Sequence, residues 1–172
     1  MEQLMESFRM WLETADPAWF MSDWLWSWRV FESIHFVGLS LLIGTVGLFD
    51  LRMMGMAKPV SMIALHKLVP WGVAGYAINI MTGAAFFAAA PDQYMYNPAF
   101  QYKILFMALA GINVLLFYLV MYRKVAVLGS GDDAPRAAKI IAGVSLSLWL
   151  GVIICGRLLT FFRPPFFQCP WC

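Results

Sequence analysis

The stretch VFESIHFVGLSLLIGTVGLF, residues 30–49, decides how the chain folds. Only Glu32 and His35 in it carry ionisable side chains. A helix of about 20 apolar residues is what it takes to cross roughly 30 Å of hydrocarbon. Three more apolar runs of that length follow, over residues 68–90, 102–122 and 140–162. None shows the period-two alternation of barrel strands, and in lipid a spanning segment must satisfy its backbone polar groups internally. The fold class expected is all-α: an integral membrane four-helix bundle preceded by an amphipathic interfacial helix.

Composition leads to the same place. Of 172 residues, 62% are hydrophobic and 13% charged, about half the charged fraction of a soluble domain. So few charges could not cover a water-facing surface, so the lipid bilayer is the main partner. A net charge of +2 without a basic stripe argues against nucleic acid. The first residues carry acids where a cleaved leader carries bases, so none is expected.

Three regions follow. Residues 1–28 form the interfacial segment: Met1, Met5, Phe8 and Leu12 recur at helical spacing among Glu2, Glu6, Arg9 and Glu13, and Trp24, Trp26 and Trp28 make an aromatic belt. Residues 29–163 form the bundle, and residues 164–172 a short aromatic and cysteine-bearing tail. Asn97-Pro98 and Asp133-Ala134-Pro135 each offer a cap acceptor and a first-turn proline to the third and fourth helices. Pro91 and Pro164-Pro165 stop the second and fourth. Seven Lys and Arg residues (Arg52, Lys58, Lys67, Arg123, Lys124, Arg136, Lys139) flank the loops after spans one and three, against five on the other side. The positive-inside tendency then places both termini outside, periplasmic for a bacterial inner membrane.

Ionisable groups within a membrane need a reason. Glu32 and His35 are three apart on one helix face, in the outer third of the first span. By depth, Arg157 in the fourth span and Lys103 at the start of the third belong to the same level. Together they make either an ion-pair network or a site: His35 the ligand or proton acceptor, Glu32 its orienter, Arg157 and Lys103 clamps for an anion. His35 and His66 are separated by about 22 Å of helix rise, so one haem cannot take both as axial ligands. Met107 is the candidate second ligand. Glu32-x-x-His35 occurs once, and a di-iron bundle needs it twice with two further glutamates. As metal ligands, His35 comes first. His66 is an interfacial histidine, and Cys169 and Cys172 form a terminal Cys-x-x-Cys that suits a local disulfide or a metal but has no following helix to activate a thiol. Cys155 reads as a buried, inert thiol. Asn79, Thr82, Asn113, Ser145 and Ser147 offer hydrogen bonds between helices.

Several features together resemble an uncharacterised bacterial family of small four-helix integral membrane proteins. They are His35 followed by Gly44 and Asp50-Leu51-Arg52-Met53-Met54-Gly55; Pro70 with Thr82-Gly83; Asn97-Pro98-x-Phe100-x-x-Lys103; Asn113; and Trp149 with Gly156-Arg157. That resemblance implies no established activity. A looser likeness runs to copper-resistance membrane proteins and membrane b-type cytochromes, in which helix-borne histidines bind metal or haem. The expected function is an integral membrane cofactor-binding or electron-transfer subunit with its site on the outer side. Haem b is the first cofactor, and quinone or copper the alternatives. The competing class is a non-catalytic scaffold or an oligomeric channel or transport component. Either would act as a homo-oligomer or as a subunit of a membrane complex. A stand-alone enzyme is disfavoured, because no nucleophile–base pair, phosphate loop or HExxH motif occurs.

Overall fold

The computed structural model describes Ser7, Met10, Trp11 and residues 26–162. The amphipathic pattern of residues 1–13 lies mostly outside the described residues, as do Trp24, Pro164-Pro165 and the Cys169/Cys172 pair. Among the described residues the chain is all-helical, with four helical segments long and apolar enough to cross a membrane: Ser27–Met54, Met62–Ala89, Pro98–Val125 and Arg136–Phe162.

The first span is one helix, α1 (Ser27–Met54). Gly55 ends it at φ 95°, a left-handed conformation that glycine adopts at little cost. The Gly55 N–H bonds to the Arg52 carbonyl and the Met56 N–H to that of Leu51. The helix therefore runs past residue 49, and Asp50 and Arg52 lie inside it. Span two combines a short helix, α2 (Met62–His66), with α3 (Val69–Ala89), which has proline in its first turn. Ser61 caps α2 by accepting from the Ala64 N–H. Pro91 opens a five-residue helix, α4 (Pro91–Met95), between spans two and three.

The third span is α5 (Pro98–Leu116), a π-helical turn (Phe117–Met121) and α6 (Tyr122–Val125). Asn97 caps it as expected, accepting from the Ala99 N–H. Its side-chain amide also donates to the Leu159 and Phe162 carbonyls, at 3.0 and 3.2 Å, and so ties the start of span three to the end of span four. The fourth span is α7 (Arg136–Leu158) followed by a 3₁₀ turn (Leu159–Phe162). Asp133 does not cap it. The cap position is Pro135, and the Asp133 carboxylate is taken by Lys139 at 2.7 Å and Lys58 at 3.5 Å.

Helix α1 packs along both α3 and α7, and α7 packs along α5. The α1–α3 seam is set by glycine: a Cβ on Gly75 would stand 2.5 Å from the Gly38 carbonyl oxygen and 2.8 Å from the Leu42 nitrogen. Close approach of backbones is how helices gain contact where lipid removes the hydrophobic drive. Large apolar side chains such as Phe36, Val37, Leu119 and Ile140 point outward. Spans two and three, although consecutive in sequence, meet mainly at their ends, where Phe87 stacks on Phe100 and His66 lies against Tyr118 and Tyr122, and they pack little in between.

Arg52 is fully buried where the loops at residues 55–61 and 126–135 meet. Its Nε donates to the Val60 carbonyl at 2.6 Å and one terminal nitrogen to that of Gly129 at 2.8 Å. The Ser130 hydroxyl reaches the Pro59 carbonyl, and the Gly131 N–H reaches that of Lys58. One cation thus holds two loops by their carbonyls.

Candidate intramembrane binding site

The gap between α3 and α5 leaves a cavity of about 340 Å³ whose wall all four spans share. Helix α1 supplies Leu42, Thr45, Val46, Phe49, Asp50 and Met53, the i, i+3, i+4, i+7, i+8, i+11 stripe of one helix face. Helix α7 supplies Ile141, Ser145 and Trp149 at intervals of four, and α3 supplies Gly72, Val73 and Tyr76. Met107, Gly111 and Val114 come from α5, and the π turn brings the consecutive residues Phe117 and Tyr118 to the same wall. π turns inside α-helices recur at functional sites.

The wall is apolar and aromatic with a small polar region. Asp50 is 4% exposed, and its Oδ2 has no hydrogen-bond partner among the described residues. Ser145, equally buried, faces that carboxyl group from α7. Trp149 is buried too, its indole N–H without a partner, and its ring stands edge-on to Tyr76 at 6.4 Å. Asn113 is satisfied, donating to the Ile141 carbonyl at 3.1 Å. Among the described residues, no lysine, arginine or histidine lines the cavity.

His35 lies outside that wall. Its Nδ1 is 2.7 Å from the Thr82 hydroxyl, and its ring stands edge-on to Phe86. The Thr82 hydroxyl proton goes to the Ile78 carbonyl, also at 2.7 Å. The Thr82 oxygen therefore accepts from His35, which puts the ring proton on Nδ1 and leaves Nε2 as an unprotonated acceptor or ligand. The residue that orients His35 is Thr82; Glu32 is exposed and makes no bond to it.

Lys103 lies within Coulombic reach of His35 and of Cys155, and its Nζ stands 3.8 Å from where a Cβ on Gly156 would be. Arg157 is exposed, and among the described residues no ion pair joins it to Glu32. Met107 faces the cavity with Leu42 and Trp149, so it and His35 do not share one lining.

His66 lies at the loop end. Its Nε2 is 3.4 Å from the Tyr122 hydroxyl, and with Lys67 and Phe49 it lines a second cavity of about 200 Å³. Cys155 is a free, buried thiol. No group of three His, Cys, Asp or Glu that could hold a metal occurs among the described residues.

Asp50 and Trp149 are the residues whose place in the wall sequence reasoning did not single out. Asp50 stands just past the apolar run that ends at residue 49. Its place on the Leu42–Val46–Phe49–Met53 stripe was the signal that it faces inward.

No curated protein and no solved structure is detectably similar to the chain. A family model does match, over residues 11–162. With four membrane-spanning helices inside that match, the chain belongs to the family of unknown function DUF6644.

Proposed function

We propose that this chain is a membrane-embedded binding or transport subunit that takes a lipophilic ring compound from the bilayer into the cavity between its four spans. The observation that carries this is the cavity itself: a space of about 340 Å³, beside the gap between spans two and three, with two unpartnered buried polar atoms on residues of its wall. Ligand sites run from about 300 to 1,000 Å³ and combine an apolar lining with a few polar groups that fix orientation. The Lys and Arg residues flanking the two loops after spans one and three favour those loops in the cytoplasm and the termini outside.

The test uses Gly111, which lines the cavity and has open space where a side chain would go. Gly111→Leu fills the cavity without a backbone clash. Calorimetric titration of the detergent-extracted protein with a short-chain benzoquinone is expected to give saturable binding, weakened at least tenfold in Gly111→Leu at unchanged melting temperature. Equal binding in both proteins, or none in either, rejects the cavity as a site for a neutral ring.

The free Nε2 of His35 favours a second function, haem b or copper binding for electron transfer. A second hydrogen bond from the ring N–H is how metal-ligating histidines are oriented, and Lys103 is near enough to neutralise a haem propionate. A Soret band, or bound copper, that disappears in His35→Ala would establish it; a colourless and metal-free extract would reject it.

A further inference from the structure

The cavity wall holds one carboxylate and no base. Asp50 is 4% exposed, and its Oδ2 finds no partner among the described residues. An ionised carboxylate in such surroundings is costly without a counter-charge. The nearest cation on the same helix does not supply one. Arg52 is two positions further on, roughly the opposite face of α1, and gives its hydrogen bonds to the Val60 and Gly129 carbonyls. Lys58 and Lys139 are taken by Asp133 in the loops.

Five aromatic rings share the cavity wall with this acid: Phe49, Phe117 and Tyr118 towards its end of the cavity, and Tyr76 and Trp149 further along, at the level of Leu42. Aromatic faces attract cations, and quaternary ammonium groups are held by such cages. A hard metal ion is poorly served, because it needs six or more oxygen ligands, usually several carboxylates, and Asp50 is the one carboxylate that the described lining offers beside the neutral oxygens of Thr45, Asn113 and Ser145. A neutral ring would leave the carboxylate unmatched.

We propose that the cavity binds a lipophilic organic cation, a quaternary or protonated amine on an apolar ring, with Asp50 as its counter-ion. This rests on the cavity being a ligand site, and it names the class of ligand. The cation sits with its charge at Asp50 and its apolar body against the rings, and it reaches the cavity from the bilayer through the gap between spans two and three.

The experiment compares two probes of one shape, benzyltrimethylammonium and its uncharged isostere neopentylbenzene, titrated into the detergent-extracted full chain. The cation is expected to bind wild type at least tenfold more tightly than the isostere. In Asp50→Asn that preference falls to within about twofold while isostere binding is retained, and Asp50→Glu keeps the preference. Gly111→Leu loses both probes.

Equal affinities in wild type, or a preference that survives in Asp50→Asn, overturn the charge assignment and leave the cavity as a site for neutral molecules. Binding of neither probe overturns the cavity itself. Should Asp50→Asn fail to fold, Tyr118→Leu decides, since Tyr118 lies against Phe117, which packs on Phe49 next to Asp50. The cation is then expected to weaken by about threefold, the size of one cation–π contact, with no change for the isostere; equal changes for both probes overturn the proposal.

Discussion

The Thr82 hydroxyl accepts the Nδ1 proton of His35 across 2.7 Å and so joins the first span to the second. The bond explains why a histidine is tolerated in an apolar helix: its polar edge is satisfied by the neighbouring span, and the ring packs against Phe86. We predict that Thr82→Val destabilises the bundle by about 1 kcal/mol, the usual scale for a hydrogen bond between membrane helices, while Thr82→Ser is nearly neutral. Thermal unfolding in detergent measures both. A Thr82→Val curve that superposes on wild type would show that the bond contributes nothing.

Arg52 should be the most sensitive charged residue at the loop end. It bonds to carbonyls of two different loops while fully buried, and hydrogen bonds from charged donors are worth about 1.5–3 kcal/mol each. Arg52→Met retains the packing volume but frees both carbonyls. We expect a loss of about 3 kcal/mol and faster proteolysis within residues 55–61 and 126–135. Nicking rates in those loops unchanged from wild type would contradict the clasp.

The glycines divide into two groups. A methyl on Gly75 meets the backbone of α1 at 2.5–2.8 Å, whereas one on Gly143 meets nothing within 4 Å. Gly75→Ala should therefore force α1 and α3 apart and cost about 1–3 kcal/mol, the range for overpacking. Gly143→Ala should be neutral or slightly stabilising, because alanine is the better helix former. The comparison is read from the two melting temperatures, and equal shifts would refute the tight seam.

Asp133 gives the loop clasp an acid limit. Its pKa is lowered first by the hydrogen bond from Lys139 and then by the charges of Lys139 and Lys58. A carboxyl group whose folded-state pKa is depressed contributes stability above its unfolded value, near 4, and loses it as pH falls through the lower folded value. The group is fully exposed, so the effect is small and screened by salt. The melting-temperature difference between wild type and Asp133→Asn should be present at pH 6, vanish towards pH 3, and shrink at high salt. A difference independent of pH would mean that the carboxylate charge plays no part.

Much of the architecture was legible because it depends on local properties. The Asn97-Pro98 cap was read correctly, since a cap needs only its own side chain and the next turn. The Asp133-Ala134-Pro135 start was misread. Two lysines, one of them in a different loop, compete for the Asp133 carboxylate, and sequence spacing does not show which partner wins. Thr82 and Asn113 were both among the residues expected to bond between helices, and both do. Asn79 and Ser147 instead bond within their own helices, to carbonyls four residues back.

Run length and scarcity of charge by themselves determined that the chain is a membrane protein with four helices, because the thickness of the hydrocarbon sets that count residue by residue. Which helices touch was decided only in three dimensions. The Gly38–Gly75 approach draws span one to span two, while spans two and three meet at their ends and part between them. That pairing opens the cavity and turns Asp50 from an apparent helix end into a buried acid. A cavity belongs to no single segment. It is the space left when four surfaces fail to close, and the physical reason it escapes one-dimensional patterning is that its size depends on the relative placement of all of them.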